Sequence, residues 1–241
     1  MHRKGRAPVG APLAIVVMAV SALAGCSAQV GAKLGADRSA VVTVWAELPE
    51  AAAAKLDQLR GVEPGTVAPL FDAALARAGA AERGVKALEV STPGPRSFRG
   101  RFEVPDLAAL AASSGAPIEL RSDAKGGSLA IRIDRKGAAA LYALFPGVDP
   151  YLLESLSPPA LDGSDLTRAE YREMLGALLG SKTLPAVDAS AVELVVELPG
   201  APDPRTAKGF VVEGGTAKVR LPLLDLLVLE TPILLSVAWT R

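Results

Sequence analysis

The segment VKALEVSTPGPRSFRGRFEV, residues 85–104, contains two stretches that alternate between apolar and polar side chains. A turn is predicted between them at residues 92–95, because two prolines around a glycine interrupt a regular strand. In the second stretch Phe98 and Phe102 share one face, and charged side chains occupy the other. The segment therefore predicts an antiparallel hairpin with one buried and one solvated face, which is the building unit of the fold.

Other parts of the chain show the same two-residue period. In two places, a pair of neighbouring segments with this period flanks a short turn rich in glycine, which predicts two further hairpins. The strands predicted in this way are 38–48, 118–121, 128–133, 192–198, 209–212, 216–221 and 233–240.

Helices are predicted where apolar residues recur every three or four positions. Thr167 and Glu170 match a capping box, which marks the start of a helix. Thr66 is the expected cap of an earlier helix, and Gly79 its expected end. The helical segments predicted are 50–61, 66–79, 106–112, 135–145 and 167–180.

Strands outnumber helices, and several strands pair with their neighbours in the chain. We therefore predict an α+β fold with one mostly antiparallel sheet and helices packed mainly on one face. Residues 38–241 are expected to form a single α+β domain. A loop rich in proline and glycine, residues 147–165, is an alternative domain boundary.

The start of the chain has the three-part pattern of a secretory leader. A basic stretch with Arg3, Lys4 and Arg6 precedes the run 13–24, which is apolar apart from one serine. These 12 residues suit the apolar region of a signal peptide and are too few for a membrane-spanning helix, which needs about 20. The run ends in a box of small residues and the chain's only cysteine, namely Leu23, Ala24, Gly25 and Cys26.

This box resembles the lipobox of bacterial lipoproteins. The resemblance implies that residues 1–25 are a signal peptide, cut before Cys26, and that the Cys26 thiol carries a palmitate-type acyl chain. It places the protein in the cell envelope, anchored to the membrane on the extracytoplasmic side. Ser27, rather than aspartate, follows the cysteine, which favours the outer membrane and the periplasm in a Gram-negative organism. The alternatives are an ordinary secretory signal and an uncleaved anchor.

Residues 26–37 are small and rich in glycine and alanine, so we predict a lipidated tether between the anchor and the domain.

Removal of the leader leaves 23 basic against 26 acidic residues, a net charge of about −3. Because the chain has no basic patch and only 4 % aromatic residues, nucleic acid is not an expected partner.

The mature chain would have neither histidine nor a free thiol. The one histidine, His2, lies in the leader, and the one cysteine is the expected acylation site. This composition excludes Ser-His-Asp and Cys-His catalysis, and it excludes zinc, copper and iron sites that need nitrogen or sulfur ligands. We therefore predict no cofactor, no metal site and no catalytic residue of these kinds.

The most apolar part of the mature chain is the segment 221–239, LPLLDLLVLETPILLSVAW. Its prolines and acidic residues argue against a membrane span. Either it forms buried strands and turns, or it lines a groove for a lipid or another apolar ligand. The residues expected to line such a groove are Leu221, Leu224, Leu227, Leu229, Leu234 and Trp239.

These observations favour a lipid-anchored envelope protein that binds an envelope protein or an apolar ligand over an enzyme. Two alternatives remain. One is an enzyme that acts on a glycan with two carboxylates about 5–9.5 Å apart. The other is a surface lipoprotein with a purely structural role.

We expect intact-mass analysis of the purified protein to show a chain that begins at Cys26 and carries acyl groups. The lipobox would mark both the cut and the modified thiol. A free thiol, or a mass that still includes residues 1–25, would contradict both the anchor and the location inferred from it.

Overall fold

The computed structural model describes residues 27–48, 50–63, 66, 68–142 and 156–241. These residues form eleven strands and eight helices, which confirms the α+β class. The strands make two mostly antiparallel sheets rather than the one sheet expected from the sequence.

The larger sheet has seven strands and contains the hairpin of residues 85–104 at one edge. In spatial order its strands are β3 (Lys86–Gly94), β4 (Ser97–Val104), β2 (Ala40–Glu47), β1 (Ser27–Leu34), β7 (Ala191–Glu197), β10 (Thr216–Pro222) and β9 (Val211–Glu213). All neighbours are antiparallel except β1 and β7, which run in the same direction.

The smaller sheet has four antiparallel strands. In spatial order they are β5 (Ile118–Ser122), β6 (Gly126–Ile133), β11 (Ile233–Thr240) and β8 (Ala201–Lys208). Strand β8, with the sequence APDPRTAK, was not predicted. Its two prolines weaken any strand signal, and they are tolerated here because β8 is an edge strand.

The helices are α1 (Glu50–Leu59), α2 (Ala73–Ala81), α3 (Leu107–Ser114), α4 (Arg135–Tyr142), α5 (Pro159–Asp162), α6 (Arg168–Leu179), α7 (Leu184–Ala189) and α8 (Leu223–Val228). Helix α2 packs on β3 and α3 packs on β5, whereas α8 contacts α5, α6 and α7. The predicted capping box at the start of α6 is confirmed, since Thr167 and Glu170 bond reciprocally.

Strand β1 contradicts the tether predicted for residues 26–37. Ser27–Leu34 pairs along its full length with β2 and also pairs with β7, so it is an inner strand of the larger sheet. Its even-numbered residues face the core, with Ala28 and Leu34 buried. Small side chains suggested a flexible segment, but they alternate with polar ones and fit between two strands.

Helix α2 begins later than predicted. The expected cap, Thr66, lies outside the helix, and Asp72 caps it instead. The Asp72 carboxylate accepts hydrogen bonds from the backbone N–H groups of Ala74 and Leu75 at 2.8 and 3.0 Å. Pro69 disfavours helical backbone at the residue before it, and the N–H group of Leu70 instead donates a hydrogen bond to the Pro95 carbonyl oxygen at 3.0 Å.

We expect a chain that begins at Gly35 not to fold, whereas a chain that begins at Ser27 should fold. The shorter chain loses the strand that joins β2 to β7, and with it the hydrogen bonds of both pairings. Far-UV circular dichroism and thermal unfolding measure the difference. Cooperative unfolding of the shorter chain near the midpoint of the longer one would show that residues 27–34 are dispensable, as a tether would be.

We expect Tyr171→Phe to lower the free energy of unfolding by about 1–3 kcal/mol. The Tyr171 hydroxyl is fully buried and donates a hydrogen bond to the Leu156 carbonyl oxygen at 2.9 Å. Phenylalanine would keep the ring but leave that oxygen without this donor. Urea unfolding of both proteins measures the change, and equal midpoints would contradict the importance of this bond.

Candidate apolar ligand site

An apolar cavity of about 160 Å³ lies between the two sheets. Four neighbouring strands of the larger sheet, β4, β2, β1 and β7, form one wall. Strands β5 and β6 of the smaller sheet, together with α3 and the end of α2, form the remainder. Every described residue that lines the cavity is apolar except Arg83, so the space is suited to hydrocarbon rather than to a polar group.

The wall from the larger sheet follows from strand register. Val42 lies opposite Phe102 on one side and Ala32 on the other, and Ala32 lies beside Val196. Residues directly opposite each other across strands point to the same face, so these four side chains form a row facing the smaller sheet. Ala32 contributes only a methyl group in the middle of the row, which leaves the wall recessed at that point.

The opposite wall is made of larger aliphatic side chains. Ile118 and Ile131 are paired across β5 and β6, and Leu129 lies two residues before Ile131 on the same face. Leu107 and Leu110, one helical turn apart on α3, close the cavity on one side. Leu129 is buried and the other four are half-buried.

Arg83 is the one charged residue in the described part of the cavity lining. It follows α2 in the turn that leads to β3, and its Nη1 donates a hydrogen bond to the Gly79 carbonyl oxygen at 2.6 Å. The side chain is half-buried. Burial lowers the pKa of the Arg83 guanidinium below its ordinary value, and the neighbouring charge of Glu82 opposes that effect.

The size and lining of the cavity define what it can hold. An apolar protein cavity of about 150 Å³ stays free of water and admits a molecule as large as benzene. Water in a space of this kind would lack the two to four polar partners that it needs. The cavity can therefore hold a small apolar ligand or one segment of a hydrocarbon chain. No side chain among the described lining residues carries an acid, hydroxyl or amide that could serve as a general base or nucleophile.

The residues predicted to line an apolar groove lie elsewhere. None of them lines this cavity. Leu234 points away from it and is 55 % exposed. The other five are buried in the core, namely Leu221, Leu224, Leu227, Leu229 and Trp239. The segment folds as the end of β10, the helix α8 and the strand β11, and α8 buries all of its leucines.

Sequence reasoning missed the cavity although it assigned the faces of most strands correctly. The alternation in β2 and β4 does place Val44 and Phe102 on the inner face. However, alternation does not tell whether facing side chains fill the space between two sheets. The signal was the size of the residues: alanine and valine dominate the inner face of β1 and β2.

The predicted leader and lipidation residues, Leu23, Ala24, Gly25 and Cys26, lie outside the described residues.

Within the described ranges, no group of three or more acidic, histidine or cysteine side chains could hold a metal ion. Three shallow surface depressions in those ranges each contain one carboxylate, Glu119 or Glu89, rather than the pair that a glycan-cleaving enzyme needs.

The outer face of the larger sheet is polar, as the alternation predicted. Trp45, Arg99 and Arg101 line one shallow depression there together with Glu89. Elsewhere on this face Lys86 and Glu103 form an exposed ion pair with Nζ and Oε2 3.4 Å apart. Exposed pairs of this kind contribute little to stability, so this surface is adequately explained as a solvated sheet face.

Helices that are long and apolar enough to cross a bilayer do not occur among the described residues.

No protein-family model matches the sequence, and no curated protein matches it either. The NMR structure of the folded domain of the Mycobacterium tuberculosis LppM protein is similar at a TM-score of 0.39 and 11 % identity. That match covers 99 % of this chain and 95 % of the other, and it is too distant to support any inference about function.

Proposed function

We propose that this chain is a lipid-anchored protein of the cell envelope whose domain binds a small apolar ligand between its two sheets. The observation that carries the proposal is the cavity of about 160 Å³, whose described lining is aliphatic apart from Phe102 and Arg83. A domain of this size ordinarily fills such a space, because empty volume costs stability. Binding of an apolar ligand in the cavity would explain why its side chains leave this volume unfilled.

The envelope location is supported by the leader and by the box that ends in Cys26. Acylation of that cysteine would attach the domain to a membrane, and attachment is stable only when more than one acyl chain is present. The outer membrane remains the favoured address on the basis of Ser27. A protein held at a membrane surface is surrounded by molecules with hydrocarbon chains, which suits an apolar binding site.

We expect Ala32→Leu to abolish binding of 1-octanol, used as a neutral apolar probe. The leucine side chain would extend from the recessed middle of the wall and occupy a large part of the cavity. It should leave the thermal midpoint unchanged or raise it, because filling a cavity of this kind recovers about 1 kcal/mol. Equilibrium dialysis of labelled 1-octanol, with the full chain in lipid nanodiscs and empty nanodiscs as background, measures binding.

Val195→Leu is the matched control. Val195 lies on β7 beside Gly31, on the face opposite to the cavity, so the added bulk should not affect the probe. Should Ala32→Leu fail to fold, Val30→Leu adds a single methylene to the same wall and should weaken binding in the same direction. Failure of the wild-type protein to bind 1-octanol, or full binding by Ala32→Leu, would overturn the proposal.

A further inference from the structure

The cavity combines an apolar interior with one cation. Among the described residues that line it, only Arg83 is charged, and its side chain is half-buried. The described lining residues expose no polar atom to the cavity, so Arg83 contributes the aliphatic part of its side chain to the wall and its guanidinium lies beyond that apolar surface, at what we call the rim. A ligand with a hydrocarbon tail in the cavity would therefore place its head near this group.

The guanidinium of Arg83 has no anionic partner within the described ranges. The negative charge of Glu82 stabilises the Arg83 cation, but the two side chains form no ion pair among the described residues, whereas Arg38 meets Asp106 at 2.7 Å and Arg172 meets Asp188 at 2.7 Å. A partly buried charge is costly when it is left without a counter-ion. Glu82 offsets only part of this charge and makes no ion pair with the guanidinium, so a bound anion would stabilise Arg83 further.

The hydrogen-bonding capacity of Arg83 is also largely unused. A guanidinium has five N–H donors, and only one bond of Arg83, from Nη1 to the Gly79 carbonyl oxygen, is formed with the described residues. The remaining donors can bind the two oxygens of a carboxylate side by side, which is the geometry that arginine favours.

We propose that the cavity binds a single-chain aliphatic carboxylic acid, with the hydrocarbon tail between the sheets and the carboxylate on Arg83. This inference rests on the proposed function and specifies its ligand. The volume of about 160 Å³ fits part of one chain and is too small for the two chains of a phospholipid. The charge at the rim selects an anionic head over a neutral or cationic one.

Equilibrium dialysis of the full chain in nanodiscs tests the proposal with four eight-carbon probes: octanoate, 1-octanol, octylamine and octyl phosphate. Octanoate should bind at least about tenfold more tightly than 1-octanol, because even one of the two charge-assisted hydrogen bonds to the guanidinium contributes about 1.4 kcal/mol. Octylamine should bind more weakly than both. Empty nanodiscs correct for partition of each probe into the bilayer.

Arg83→Met removes the charge but keeps a long apolar side chain along the wall. In this variant the preference for octanoate over 1-octanol should disappear, while the affinity for 1-octanol stays within about twofold of the wild-type value. Arg83→Lys should keep most of the preference. Arg99→Met is the matched control. Arg99 is exposed on the face of the larger sheet that points away from the cavity, so this substitution should leave all affinities unchanged.

The outcomes separate this inference from the proposed function. Equal binding of octanoate and 1-octanol to the wild-type protein, or a preference that survives in Arg83→Met, overturns the carboxylate assignment and leaves the apolar site in place. Tighter binding of octyl phosphate than of octanoate overturns it in favour of a phosphate head. If no probe binds, the proposed function itself fails. Because the four probes are compared on the wild-type protein, the test stands even if a variant does not fold.

Discussion

The larger sheet depends on the insertion of β1 between β2 and β7. On one side of β1 lie β2 and the hairpin of β3 and β4, and on the other lie β7, β10 and β9. These two groups are far apart in the chain, and within the described residues only β1 hydrogen-bonds to both. Eight residues near the start of the domain therefore hold its N-terminal and C-terminal parts in one sheet. The cavity depends on the same strand, because β1 supplies the recessed middle of one wall.

The elements that could be predicted were those with a strong local pattern. The hairpin of residues 85–104, the capping box at Thr167 and the strand β7 all have side chains of clearly different polarity at the expected spacing. Strand β1 has the same alternation, but its inner residues are mainly alanine and valine and Gly31 interrupts the outer face. A Cβ atom at Gly31 would meet the Thr43 hydroxyl on the neighbouring strand, so a larger residue there would require that side chain to move.

The candidate site could not be predicted from the sequence for a different reason. Alternation identifies which residues face inward, but a cavity exists only where the combined volume of facing residues falls short of the space between two layers. That shortfall involves residues from six strands and two helical regions, from Val30 to Val196. Arg83 carries no local signal either, since an arginine in a turn after a helix is ordinarily solvated. The run of leucines at 221–229 drew attention instead, yet long side chains fill the core efficiently and leave little room beside them.

The start of β1 at Ser27 also limits how the domain can sit relative to a membrane. Ser27 directly follows Cys26, and consecutive Cα atoms are about 3.8 Å apart. An acylated Cys26 would leave the sheet almost no slack, so the domain would diffuse laterally with its lipid and sample few orientations. Ala32 is five residues further along the strand, which sets an upper bound of about 17 Å on its distance from Ser27, whatever the tilt of β1. Amphiphiles that accumulate at the lipid–water boundary would then meet the cavity at their interfacial concentration, which far exceeds their concentration in bulk water.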